Sequence, residues 1–166
     1  LLKILADPFT QLPSITFWLL GSFTAVGVKE LSQLIPILIL GILPLFLLRW
    51  RLNLLALEED EAKSLGIPIQ RTRYILIIFT TLCTASAVSI TGIIGWVGLL
   101  VPHIARLLVG ASFILLLSTS LLLGASFLLL TDTLARTVAS IELPIGILTS
   151  ACGAPFFLYL LLRGRK

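Results

Sequence analysis

Only 12% of the 166 residues are charged and 58% are hydrophobic, about half the charge of a typical soluble domain, where roughly 25% is usual. That composition excludes an ordinary soluble enzyme, a disordered chain and a nucleic-acid-binding module. The net charge of +4 matters through where the basic residues lie, because in an apolar chain they report orientation across a bilayer. Cys83 and Cys152 sit inside apolar runs and read as small packing residues, with no disulfide framework implied. There is no methionine, and the chain opens at Leu1-Leu2 with Asp7-Pro8 soon after. This pattern lacks a signal peptide and suggests a segment with more chain upstream.

In chain order, Pro8 to Val28 is uncharged but interrupted by Pro13, Gly21 and Gly27, and it reads as interfacial or re-entrant. Leu31 to Leu48 is also charge-free, and a bilayer core of about 30 Å needs about 20 such residues. A polar stretch, Arg49 to Arg73, follows. Within it, Glu58-Glu59-Asp60-Glu61 open a helical pattern where the dipole favours negative charge. Gly66 and Pro68 suit its end. The stretch therefore predicts a short surface helix beside the membrane, either a solvated connector or a docking element.

Tyr74 to Pro102 is long for one span and short for two. Gly92, Gly95 and Gly98 weaken a helix, and Pro102 removes a backbone donor. A break near Gly92–Gly98, with a short returning piece, places Arg49, Arg51, Lys63, Arg71, Arg73, Arg106, Arg163, Arg165 and Lys166 on one side. Only Lys3, Lys29 and Arg136 fall on the other. The positive-inside rule favours this arrangement, with the C-terminus cytoplasmic. Leu107 to Thr131 and Leu143 to Leu162 complete the apolar runs. The expected fold is an all-α polytopic membrane bundle of about five membrane helices, one of them short, plus a cytoplasmic helix. Irregular backbone at membrane depth must be covered by protein or line a cavity, so other helices are expected to pack against this unit.

Several segments carry a family resemblance. Gly95-Trp96-Val97-Gly98-Leu99-Leu100-Val101-Pro102-His103-Ile104-Ala105-Arg106 resembles the G-(F/W)-x-G-L-x-x-P-H-x-x-R signature of the FecCD-type permeases. These are membrane subunits of ABC importers for iron–siderophores, haem, cobalamin and related chelates. Leu129 to Arg136 resembles the family's LLADxxAR, Glu142 to Thr149 its ELPVGxxT, and Gly153 to Phe157 its GAPFF. Trp18 to Ser22 resembles its W-x-M-GS with Leu20 for Met, and Leu57 to Gly66 its coupling segment, with Glu58 for the usual glycine. The turn Gly110-Ala111-Ser112-Phe113-Ile114 departs from the family's charged G-(P/A)-(D/N)-H-R. The resemblance covers Phe17 to Arg163 and corresponds to the C-terminal half of a ten-helix permease. On that basis, residues 1–30 form a periplasmic or interfacial segment. Residues 31–166 form half of a transmembrane domain, with the coupling loop at 49–73.

The resemblance implies a permease subunit in the bacterial inner membrane. It would work with a second permease chain, two ABC ATPase subunits and a periplasmic substrate-binding protein. Glu59, Ala62, Leu65 and Gly66 would dock on the ATPase. Arg136 would pair with a carboxylate on the binding protein or, by spacing, with Asp132. Gly146, Ser150 and Ala154 form a small-residue stripe suited to close helix packing, within the subunit or at the dimer contact. Glu142 is expected near the same outer surface in a structural role. The chain lacks a phosphate-binding GxxxxGK[ST] pattern, so ATP and magnesium are expected on the partner, with no cofactor and no catalysis on this chain. His103 is the only histidine. Without neighbouring Cys, Asp or Glu it is a poor metal site and is expected to hydrogen-bond structurally. Membrane lipid is the expected surroundings, and no nucleic acid is implied. A non-transporting remnant and an ion-coupled secondary transporter are the alternative readings. The second would need ionisable residues within its spans, where Asp132 is the best candidate.

Overall fold

A computed structural model describes residues 7, 9, 11–24, 26–54, 68–110, 112–138 and 143–163. Among these residues seven helices follow in order: α1 Gln11–Leu20, α2 Val28–Leu47, α3 Arg49–Leu54, α4 Ile69–Thr91, α5 Val97–Val109, α6 Phe113–Thr137 and α7 Ile145–Arg163. No strand occurs among the described residues. α2, α4 and α6 are long and apolar enough to cross a membrane; at 1.5 Å per residue they measure roughly 30–38 Å. α5, with 13 residues, reaches roughly 20 Å and is the short helix expected. α7 has 19 residues. The all-α membrane bundle read from the sequence is thus the architecture observed.

Element limits differ from the hydropathy runs, for local reasons. Leu107 to Val109 end α5, because Gly110 at φ 76° breaks the chain before α6. At its other end α6 runs past Asp132 to Thr137, although charge ends the apolar run at Thr131. An i,i+4 ion pair between Arg136 and Asp132 supports that last turn. The polar stretch 49–73 is helical at both margins, as α3 and as the start of α4, which carries Arg71 and Arg73.

Little of this surface is turned inward. Leu34, Leu52, Ile69, Leu100, Val101, Ala105, Ala135 and Ile145 form the buried apolar set, whereas Leu47, Leu122 and Leu129 are each about 70% exposed. Such apolar exteriors suit lipid or further helices rather than water. α2 lies against α4, with Gly41 seated on Cys83 and the Phe79 carbonyl. α5 lies against α6, where Gly124 faces Val101. Among the described residues, the buried polar ones are Thr72, Thr131 and Thr149. Each returns its hydroxyl to a carbonyl of its own helix or its cap, on Pro68, Phe127 and Gly146 respectively. These three hydroxyls are therefore partnered, whereas the Ser120 Oγ is buried without a partner among the described residues.

Candidate functional site

Three motifs that are far apart in sequence meet at one end of the bundle. The Ser22 amide donates to the Thr91 carbonyl at 2.9 Å, and the Ile145 amide donates to the Gly21 carbonyl at 2.9 Å. The Trp18 indole N–H reaches the Ser89 carbonyl at 3.3 Å. The non-helical stretches after α1, after α4 and before α7 thus satisfy one another's backbone, the condition for irregular chain at membrane depth. Glycine makes the contact possible. A Cβ on Gly92 would strike the Trp18 carbonyl oxygen, and one on Gly146 the Leu20 carbonyl oxygen. Gly92 also has φ 72° and ψ −165°, a region essentially restricted to glycine.

The reversal from α4 into α5 is completed by Trp96. It holds φ 66° and ψ −28°, with the Val97 amide donating to the Gly95 carbonyl at 2.8 Å. This is the strained sense of a γ-turn, and a bulky residue there needs the surroundings to hold it. They do: Gly153 of α7 leaves just enough room for the Trp96 side chain, and Phe157 packs on the indole with centroids 6.1 Å apart. Further along α5, His103 meets Phe156 edge-on at 6.0 Å. A cavity of about 100 Å³ lies between these rings, lined also by Leu99, Leu100 and Leu160. Among the described residues, the contact shown for His103 is this ring pair. At the start of α5, Gly95 and Gly98 have room on every side for a methyl group. Pro102 lies inside a helix that continues through it, and Arg106 is exposed near the far end.

The small-residue stripe on α7 lies beside the buried face of the helix. Ile145, Thr149 and Gly153 are the buried positions, while Gly146, Ser150 and Ala154 beside them are half-buried. Gly146 packs within the chain, against the α1 and Ile93 backbone. The Ser150 hydroxyl returns to the Gly146 carbonyl at 2.6 Å. Spacing alone gives no way to choose between these two adjacent registers. The signal for Gly153 is the bulky Trp96 in the segment that α7 must face.

On the same end as the glycine junction, the Arg136 Nε donates to Asp132 Oδ2 at 3.0 Å. The side chains are 47% and 23% exposed, so the guanidinium is oriented but still presented outward. The four coupling residues Glu59, Ala62, Leu65 and Gly66 lie outside the described residues, as does Glu142. One contact at the opposite end has no local sequence signal: the Phe113 amide, opening α6, donates to Asn53 Oδ1 of α3 at 2.8 Å.

The FecCD transport family matches residues 1–163, and the chain belongs to that family. It is 49% identical over 152 residues to a probable iron chelatin transport system permease protein of Helicobacter pylori, covering 92% of this chain and 47% of that protein. It is 45% identical over 168 residues to the molybdate import system permease protein MolB of Haemophilus influenzae, covering 99% and 50% respectively. A solved structure described as an inward-facing conformation of a putative metal-chelate type ABC transporter superposes with TM-score 0.92 and 42% identity, over 98% of this chain and 53% of that one. The chain therefore spans about half the length of the relatives it matches.

Proposed function

We propose that this chain forms the C-terminal half of the permease subunit of an ABC importer that moves an iron–siderophore or related metal chelate across the bacterial inner membrane. The observation that most supports this reading is the superposition of nearly the whole chain on a metal-chelate transporter at 42% identity. The geometry agrees with such a role. The basic residues Arg49, Arg51, Arg71, Arg73 and Arg106 gather at the end of the helices opposite the glycine junction, which supports a cytoplasmic placement of that end under the positive-inside rule.

In this reading the loop bearing Glu59, Ala62, Leu65 and Gly66 docks on a separate ATPase, which holds the ATP and magnesium. The closing motion of the ATPase pair passes through the loop to the membrane helices. On the outer face, Arg136, held by Asp132, receives a carboxylate of the substrate-binding protein, because a pre-oriented guanidinium forms a bidentate pair at lower entropic cost. The half-buried Ser150 and Ala154 on α7 are available to the second permease chain. The substrate passes as an intact chelate, so no protein ligand to its metal is required.

The reading is tested by uptake into proteoliposomes. The permease containing this chain is combined with its ATPase and binding protein and offered ferric siderophores, haem and molybdate. ATP-dependent accumulation of one chelate is the expected result. Accumulation driven by an ion gradient without ATP, or none with every partner present, overturns it.

A further inference from the structure

A helix start leaves backbone donors unpaired, and a nearby Ser, Thr, Asp or Asn ordinarily supplies the acceptor. α6 has such a residue in place. Ser112 precedes it with an extended backbone, φ −65° and ψ 115°, yet its hydroxyl makes no cap bond. The acceptor comes instead from Asn53, 60 residues earlier and the only asparagine in the chain, at 2.8 Å from the Phe113 nitrogen. A local serine would cap the helix equally well. What the distant asparagine adds is a mechanical link between α3 and α6.

Both sides of that link are firmly held. α3 continues α2 through helical hydrogen bonds, Leu48 to Pro44 at 2.9 Å and Leu52 to Leu48 at 3.1 Å. Leu52, beside Asn53, is 5% exposed, and α3 packs against α6. The segment assigned above to ATPase docking, Leu57 to Gly66, begins four residues after Asn53 in the chain. From Phe113, α6 runs unbroken for 25 residues, roughly 38 Å, to the Asp132–Arg136 pair at the other face.

We propose that Asn53 is a positioning residue that latches the root of the docking loop onto the cytoplasmic end of α6. Displacement of the loop is thereby delivered to the helix that presents Arg136 outside. The same link carries binding-protein engagement inward, because coupling between two sites is reciprocal. This inference rests on the transport reading above and names the element through which its two partners communicate.

The test uses the complete transporter in proteoliposomes and reads the ratio of binding-protein-stimulated to basal ATP hydrolysis, which requires no knowledge of the chelate. Asn53→Ala is expected to lower that ratio about fivefold, the shift that losing one cap bond produces. Asn53→Asp keeps an acceptor at a helix N-terminus, where negative charge is favoured, and is expected to retain the ratio. A merely structural role lowers both rates together and leaves the ratio unchanged in Asn53→Ala, and that result overturns the latch. Hydrogen exchange of the Phe113 amide in the unmutated complex provides a second reading that needs no variant. Slow exchange is expected, and exchange at the solvent rate overturns the proposal. A wild-type complex whose hydrolysis does not respond to any partner counts against the transport reading itself. A responsive wild type with an unaltered Asn53→Ala ratio removes only the latch.

Discussion

Gly92 and Gly95 lie three residues apart in one motif, and the structure gives them opposite tolerance to a methyl group. At Gly92, alanine must enter a backbone region that costs a non-glycine residue about 1–3 kcal/mol. Its Cβ also meets the Trp18 carbonyl oxygen. That oxygen already accepts the Gly21 amide at 3.1 Å, so it cannot swing aside as a flexible side chain would. Overpacking of this kind costs about 1–3 kcal/mol more, giving about 2–6 kcal/mol in total. At Gly95 an added Cβ would find nothing within 4 Å, and φ is not positive. Alanine there is expected to be neutral or to stabilise by up to about 1 kcal/mol through the unfolded chain. Thermal unfolding of the purified proteins in detergent, followed by tryptophan emission, checks the pair. Gly92→Ala is expected to lower the Tm by roughly 5–20 °C at a few degrees per kcal/mol, and Gly95→Ala to leave it within about 3 °C. Equal loss in both variants would refute the claim that the junction, rather than the glycine-rich motif in general, sets the requirement.

Gly41→Ala drives a Cβ into the Cys83 sulfur and is expected to cost about 1–3 kcal/mol. Adding Cys83→Ala should recover most of that loss, and a double-mutant cycle without coupling would place the α2–α4 contact elsewhere. Arg136→Gln removes a partly exposed ion pair and should change stability by less than about 1 kcal/mol. It should nevertheless weaken binding-protein association about tenfold, the effect of losing a charge-assisted pair, measured by surface-immobilised titration at low salt; unchanged affinity excludes Arg136 from that contact. Thr149→Val keeps the buried volume, and the Thr149 hydroxyl bonds only its own helix. The Tm should shift by no more than the equivalent of about 1 kcal/mol, and a larger loss would reveal a partner for that hydroxyl across a helix interface.

Much of the fold is legible because the bilayer imposes a simple rule on sequence. Charge-free runs of sufficient length must become helices, and the basic residues sort to one side. The break in the long run from Tyr74 to Pro102 is readable as well, since three glycines and the basic count on either side point to it. Less legible are positions where two adjacent registers look alike. Gly146, Ser150 and Ala154 share their spacing with the buried neighbours Ile145, Thr149 and Gly153. Only the bulk of Trp96 on the facing segment decides which stripe is buried. A lone imidazole in an apolar run needs polar company, which is why the sequence points to a hydrogen bond for His103. The Phe156 ring that packs against it lies more than fifty residues away in the chain.

By itself the sequence determined the helical class, the approximate spans and the family, because hydropathy and ordered motifs are properties of neighbours along the chain. Only the tertiary structure decided that Gly21, Gly92 and Gly146 meet at one backbone junction, that a strained Trp96 is accommodated by Gly153, and that Asn53 rather than Ser112 caps α6. Each of these depends on a group finding its partner across a long stretch of intervening chain. In a medium without water, such pairings are obligatory, but nothing local in the sequence states which partner is taken.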